Sequence, residues 1–253
     1  MSGTAFIALG GNLGDVRQTM QQAVGLLHDS SCISQLICSG LYQTSPIGVQ
    51  AGEEFLNAVV RLQTSKTPEE LLEFCHEIEN QLGRQRTVHW GPRSIDLDLI
   101  AFDDQIIQSA QLSLPHPACW YRRFVLDPFV EIAPGWRHPE RNIAVLDLQL
   151  RLLNRPLILD LSSCDASFID EATKVLSAAF FPQELQLITD KAEVTTEEAT
   201  WKILEQGTST WENAKLVSRL DLQDLPSPTA NALVDVVRSA MDSPQRIEEF
   251  DTK

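Results

Sequence analysis

The hydrophobic and polar positions of the first hundred residues repeat with two periods, and together they predict an α+β fold. Apolar runs with the pattern of a strand occupy residues 4–9, 33–42, 55–63 and 95–102. Stretches with the helical period of apolar residues separate the first run from the second and the third run from the fourth. The resulting order, β-α-β-β-α-β, is typical of a ferredoxin-like domain.

Local signals indicate where the two helices begin. Asp15 follows the first strand and stands directly before apolar residues at helical spacing. Thr67 is a typical helix cap, with Pro68 at the first helical position and Glu70 three residues after the cap. The second helix is expected to end at Gly83, where the glycine favours termination.

The pattern of residues 155–253 predicts a small, separate α/β domain. We therefore predict two domains, residues 1–154 and residues 155–253. The predicted strands and helices of the second domain alternate and lie at 156–161, 167–179, 184–189, about 195–205, 215–220 and 228–241. The tail after Ser243 is polar and is expected to fray. No motif in this part indicates a catalytic or ligand-binding site. The default interpretation is therefore an interaction or regulatory module that binds a protein partner or a second copy of the chain.

Two acidic residues on one predicted strand are the first candidates for chemistry. Asp96 and Asp98 point to one face of the strand, whereas the leucines that alternate with them point to the other. Carboxylates at this spacing lie about 6–7 Å apart at the backbone and can converge on hard cations. The alternative is a solvated face, but the apolar run continues to Phe102, and an unpaired carboxylate on a central strand would be costly.

A basic segment lies just before this strand. Arg84, Arg86 and Arg93 fall within ten residues that contain no acidic side chain, in a chain whose net charge is −15. The overall charge disfavours binding to nucleic acid or to an anionic membrane. Arginines for phosphate beside carboxylates for a metal ion are typical of phosphoryl-type transfer.

Composition and cysteine usage indicate an ordinary globular protein of the cytoplasm. The 253 residues are 43% hydrophobic and 22% charged. Five cysteines form no CxxC pair, which favours reduced thiols. The first apolar run is too short for a signal peptide or a membrane span, so no membrane association is expected.

Eight ordered motifs within residues 1–150 resemble the 6-hydroxymethyl-7,8-dihydropterin pyrophosphokinase family. They are GGN at 10–12, YQTSP at 42–46, FLNAV at 55–59, LGRQR at 82–86, WGPRSIDLD at 90–98, LPHP at 114–117, RFVL at 123–126 and EIAP at 131–134. The resemblance implies a ferredoxin-like fold. It also implies a transferase that moves the terminal diphosphate of ATP to the hydroxymethyl oxygen of the pterin, releases AMP and thereby serves folate biosynthesis.

The resemblance also implies a role for each matching residue. Asp96 and Asp98 would hold two Mg²⁺ ions, and Arg84 and Arg93 would act beside them in catalysis. The residues implied for the pterin are Thr44, Phe55, Asn57, Trp90 and Phe124. Those implied for ATP are Glu79, Arg84, Arg86, Arg93, His116 and Arg122.

Some of these roles have alternatives in the sequence itself. His116 could be a packed structural histidine, and Phe55 and Phe124 could be plain core residues. Phe55, His76 and His89 depart from residues often found in the family, which bears on affinity and rate rather than on the reaction. A scaffold that has lost catalysis, with the C-terminal part recruiting partners, is the alternative function, and the complete set of acids and arginines argues against it.

Overall fold

An antiparallel sheet organises the N-terminal part of the chain. The computed structural model describes residues 2–45, 53–84, 93–190, 199–204, 219–221 and 229–250. The N-terminal strands are β1 (Gly3–Gly11), β2 (Ile33–Cys38), β3 (Leu41–Thr44), β4 (Phe55–Thr64) and β5 (Asp96–Phe102). They follow the order β3-β4-β1-β5, and β2 also pairs with β4.

The predicted strand at 33–42 is in fact two strands, β2 and β3. The break falls at Ser39 and Gly40, where the hydroxyl of Ser39 accepts a hydrogen bond from the Val59 amide at 3.0 Å. The same hydroxyl donates to the carbonyl of Gly40 at 2.8 Å. A hydroxyl that forms hydrogen bonds with nearby backbone groups competes with the regular hydrogen bonds between strands. The strand is therefore interrupted at Ser39 and Gly40.

Two helices cover one face of this sheet, as predicted. The helix α1 (Val16–His28) begins after Asp15, whose side chain accepts the Gln18 amide at 3.0 Å. The helix α2 (Pro68–Gln81) begins with the predicted capping box between Thr67 and Glu70 and ends two residues before Gly83. Buried apolar residues of both helices and of the strands pack together in one hydrophobic cluster.

The opposite face of the sheet is covered by α3 (Arg123–Ile132), against which α4 (Val145–Leu153) packs. Phe129 of α3 packs against Phe6 of β1 with ring centroids 4.7 Å apart. Two small hairpins complete this part, formed by β6 (Ile107–Gln108) with β7 (Ser113–Leu114) and by β8 (Arg137–His138) with β9 (Ile143–Ala144).

A second sheet, which is parallel, is built from residues after 155. Its strands β10 (Leu157–Asp160), β11 (Leu185–Ile188), β12 (Trp201–Leu204) and β13 (Arg219–Asp221) lie in the order β11-β10-β12-β13. The helices of this part are α5 (Ala166–Ala179) and α6 (Ala230–Met241). Among the described helices, none is both long and apolar enough to cross a bilayer.

The helix predicted at about 195–205 is wrong over residues 201–204, where the chain forms β12. Trp201 is paired with Leu159 of β10 and packs against Trp120 with ring centroids 6.1 Å apart. Tertiary burial of this aromatic residue outweighs the local helical pattern. Residues 195–198 and 205 of the predicted helix lie outside the described residues.

The fraying predicted after Ser243 is also wrong. Residues Gln245–Glu248 form a strand, β14, which pairs antiparallel with β3 and thereby joins the N-terminal sheet. Phe250 is buried in the apolar cluster that includes residues of α1 and α2. The division at 154 stays a prediction, and across it Phe6, Val59 and Leu159 share one hydrophobic cluster.

Candidate active site

A cleft opens between the sheet and the first turn of α3. Eight residues singled out in the sequence line it: Thr44, Phe55, Asn57, Arg93, Asp96, Asp98, Arg122 and Phe124. The floor is formed by Ala8 and Gly10 of β1, which are paired across strands with Asp98 and Asp96 respectively. Because these two residues have little or no side chain, space remains above the middle of the sheet.

Two arginines hold the carboxylate of Asp96. Nη1 of Arg84 lies 2.6 Å from Oδ1 of Asp96, and Nη1 of Arg93 lies 2.6 Å from Oδ2. Burial and the nearby charge of Asp98 raise the pKa of Asp96, while the two arginines oppose the rise. Among the described residues Asp98 takes part in no ion pair, so the two arginines neutralise only one of the two carboxylates.

Glu79 links α2 to the start of β5. Its side chain is 1% exposed and accepts the Leu97 amide at 2.7 Å, and it forms an ion pair with Arg84. Burial raises the pKa of Glu79, against the effect of the Leu97 amide and of Arg84. The sequence predicts a central strand here, but among the described residues β5 is the edge strand of its sheet. Glu79 therefore both satisfies an edge amide and fixes Arg84 beside Asp96.

Asn12 holds together two segments that border the cleft. Its Oδ1 accepts the amide of Arg93 at 3.1 Å, and its Nδ2 donates to the carbonyl of Glu53 at 3.3 Å. A side chain on the preceding Gly11 would lie 2.7 Å from the carbonyl oxygen of Ser94, so glycine is required for this close approach. The turn after β1 therefore positions Arg93 through its backbone.

The opposite end of the cleft is apolar with a polar edge. Nδ2 of Asn57 donates to Oγ1 of Thr44 at 2.9 Å, and both side chains are buried. The guanidinium of Arg93 lies 5.8 Å from the centroid of the Phe55 ring. That of Arg122 lies 5.6 Å from the centroid of the Phe124 ring. An aromatic ring on each side and amide and hydroxyl groups at the edge suit a flat heterocycle.

His116 lies on the segment that leads to α3. Its Nδ1 accepts the Ala118 amide at 3.1 Å, which leaves the proton of the neutral ring on Nε2. Desolvation, followed by the positive charge of Arg122, lowers the pKa of His116 to about 4. At neutral pH the ring is therefore an uncharged hydrogen-bond donor.

The structure thus brings together most of the residues that the sequence indicated. Arg86 and Trp90 lie outside the described residues. Asn12 and Gly11 were missed as site residues, although the GGN motif that contains them was noticed. Both residues act on the backbone of a neighbouring segment: Asn12 bonds the Arg93 amide, and Gly11 lies close to the Ser94 carbonyl. The signal in the sequence was a pair of glycines directly after a predicted buried strand.

Carboxylates and arginines around one cleft are typical of enzymes that transfer phosphate groups, and the aromatic rings beside them suit a flat acceptor. The family described as 7,8-dihydro-6-hydroxymethylpterin-pyrophosphokinase (HPPK) matches residues 6–134. The chain therefore belongs to this pyrophosphokinase family.

Two relatives agree with the family match in sequence. The 2-amino-4-hydroxy-6-hydroxymethyldihydropteridine pyrophosphokinase of Bacillus subtilis is 46% identical over 132 residues, which cover 52% of this chain and 79% of that protein. The protein of the same name from Synechocystis is 39% identical over 144 residues, covering 57% of this chain and 73% of that one. A crystal structure of the HPPK-DHPS protein of Plasmodium falciparum has a TM-score of 0.49 and 13% identity, covering 81% of this chain and 58% of that chain.

Proposed function

We propose that the cleft above β1 is where this chain carries out its pyrophosphokinase reaction. The family match and the relatives support 2-amino-4-hydroxy-6-hydroxymethyldihydropteridine pyrophosphokinase activity in folate biosynthesis for this chain. The substrates are ATP and 6-hydroxymethyl-7,8-dihydropterin, and the products are AMP and the pterin diphosphate. The observation that carries the assignment to this cleft is the pair of ion pairs from Arg84 and Arg93 to Asp96.

Asp96 and Asp98 fit the binding of two Mg²⁺ ions. They are two residues apart on one strand and both line the cleft, and the described residues provide no third acidic, histidine or cysteine ligand. Such a donor set suits Mg²⁺, which takes one or two carboxylates and completes its shell with water and substrate phosphates. When bound, the ions would neutralise negative charge on the phosphates.

Arg84 and Arg93 would have a second set of partners in this proposal. They lie beside Asp96, and the phosphate oxygens of ATP would be within their reach while Asp96 contacts the cation. The charge of each guanidinium is then paired in either arrangement. In the transfer itself the arginines stabilise the charge that develops on the diphosphate.

The pterin lies at the apolar end of the cleft in this proposal. Phe55 and Phe124 stack on its two faces, and Thr44 and Asn57 read its polar edge. The hydrogen bond between Thr44 and Asn57 fixes which groups they present, because each side chain already has one known partner. This placement directs the hydroxymethyl group toward Asp96 and Asp98.

ATP approaches from the side of α2 and the start of α3. Arg122 stands directly before α3, where positive charge and free amides favour phosphate, and the uncharged His116 supplies an Nε2 proton. Glu79 acts through Arg84 by holding its guanidinium. Arg86 and Trp90, which lie outside the described residues, keep the roles that the family resemblance implies.

The assay that tests this proposal follows the nucleotide product. Purified protein with ATP, Mg²⁺ and 6-hydroxymethyl-7,8-dihydropterin is expected to form AMP and pterin diphosphate in equal amounts. Formation of ADP, or of AMP without pterin diphosphate, would refute the proposed reaction. A folded protein without turnover would favour a scaffold, which the complete set of acids and arginines argues against.

Three wider features belong to the same proposal. The order β3-β4-β1-β5 with a helix after β1 and after β4 supports a ferredoxin-like arrangement. All five cysteines lie within the described residues and none of them is in a disulfide bond, which supports a cytoplasmic location. The separate domain at 155–253, and a protein partner or second copy bound through it, remain predictions.

A further inference from the structure

The C-terminal strand β14 covers the edge of the strand that carries Thr44. Gln245 is paired with Gln43, and Arg246 with Tyr42, so the ladder reaches the residue next to Thr44. On its other side β3 pairs with β4, where Thr44 is opposite Phe55. Without β14, β3 would be a four-residue edge strand, and a short edge strand is easily displaced.

Glu131 of α3 connects this added strand to both walls of the cleft. Its carboxylate accepts the Gly40 amide at 3.1 Å and the hydroxyl of Tyr42 at 2.9 Å. Arg246 of β14 donates to the same carboxylate from Nη2 at 3.2 Å. Burial raises the pKa of Glu131, but the bonds from Arg246, Tyr42 and Gly40 prevail and lower it. An exposed ion pair alone contributes little, whereas one carboxylate shared by three elements forms a network.

The approach of β14 requires a bare backbone at Gly40. A side chain there would lie 2.8 Å from Nε of Arg246 and 2.8 Å from the carbonyl oxygen of Glu248. Glu248 also forms an ion pair with Arg17 of α1. The strand is therefore held from three sides, by β3, by α3 and by α1.

We propose that β14 is a positioning element for the pterin, and that Arg246 is its positioning residue. Arg246 acts through Glu131, which holds β3 with Thr44 and α3 with Phe124 at a fixed separation. The inference rests on the proposed function, since it assumes that these walls bind the pterin. It assigns to the last described residues of the chain a part in substrate recognition.

The test uses two variants of the full chain that act on β14 by different routes. Arg246→Ala removes the guanidinium, and Gly40→Ala pushes the strand away while keeping Arg246. Each is expected to raise the KM for the pterin by about three- to tenfold, with the KM for ATP within about twofold of the original value. Arg246→Lys keeps the charge and is expected to recover part of the loss.

Matched controls separate positioning from general stability. Arg238→Ala removes a half-exposed arginine of α6 that is paired only within its own helix in the described residues. Gly25→Ala adds a methyl group where the described structure has open space. Both controls should leave the two KM values unchanged. If Arg246→Ala and Gly40→Ala lower the melting temperature but leave the pterin KM unchanged, β14 is only a structural strand and the proposal is wrong.

Hydrogen exchange gives a second measurement that does not depend on turnover. The amides of Tyr42 and Gln43 should exchange faster in Arg246→Ala than in the original chain, and those of β1 should not. Equal exchange in β3 would overturn the proposal. Failure of the original chain to form AMP would instead refute the proposed function, so the two failures are distinguishable.

Discussion

Replacing Asn12 by alanine should weaken catalysis, although Asn12 lines no part of the cleft. Within the described residues the change removes two side-chain hydrogen bonds. One accepts the Arg93 amide at 3.1 Å, and the other is donated to the Glu53 carbonyl at 3.3 Å. The backbone bonds from Asn12 and Leu13 to the Arg93 carbonyl remain. Each lost bond contributes about 1 kcal/mol net, and an amide left unsatisfied near the cleft adds to this, which gives about 2–3 kcal/mol.

If this free energy positions Arg93 beside Asp96, kcat/KM should fall by about 30- to 150-fold. The assay is steady-state AMP formation with either substrate varied, together with the free energy of unfolding from urea titration. Asn154→Ala, which alters an exposed residue just after α4, is the matched control and should change neither quantity. If kcat/KM of Asn12→Ala stays within about twofold of the original value in a folded protein, Asn12 does not position Arg93.

Three further predictions concern the cleft itself. Asp98→Ala should lower kcat by about a hundredfold and alter its Mg²⁺ dependence, because a metal ligand is lost. The control Asp170→Ala, on the exposed face of α5, should do neither. An unchanged Mg²⁺ dependence of Asp98→Ala would show that Asp98 is no ligand. Arg93→Ala should chiefly lower kcat, and a rise in the pterin KM alone would contradict its place at the transferred group. Because the pKa of His116 lies at about 4, the ring is already neutral above that range. The ratio of kcat/KM between the original chain and His116→Gln should therefore stay constant from about pH 6 to 8, and an inflection near 6.5 would show that the ring titrates there.

The elements of the first hundred residues could be predicted because local and long-range preferences agree in them. The cap at Thr67 and the apolar positions of α2 both indicate a helix at the same place, and the structure has the capping box. The alternation around Asp96 likewise matches a strand that buries its leucines on one side. The break at Ser39 was missed, since a hydroxyl that bonds a neighbouring strand leaves no period in the sequence.

The site could be predicted as a set of residues but not as an arrangement. The spacing of Asp96 and Asp98 predicted that both lie on one face of the strand. This is confirmed, because both side chains line the cleft. That both oxygens of Asp96 are held by arginines depends on where α2 and the segment at Arg93 meet β5, which no local pattern contains. The contribution of Asn12 is hidden for the same reason, because its partners lie 81 and 41 residues away.

The C-terminal strand shows the limit of such reasoning most directly. Residues 245–248 read QRIE, with one apolar side chain that remains 45% exposed, so neither burial nor period indicates a strand. Its stability comes from a partner strand about two hundred residues earlier and from Glu131, neither of which a window of sequence can contain. The same contacts bear on the division at 154. A chain that ended there would leave β3 paired with β4 but without β14 on its other side, and Glu131 without Arg246. A test of whether residues 1–154 function on their own must therefore measure the KM for the pterin as well as folding.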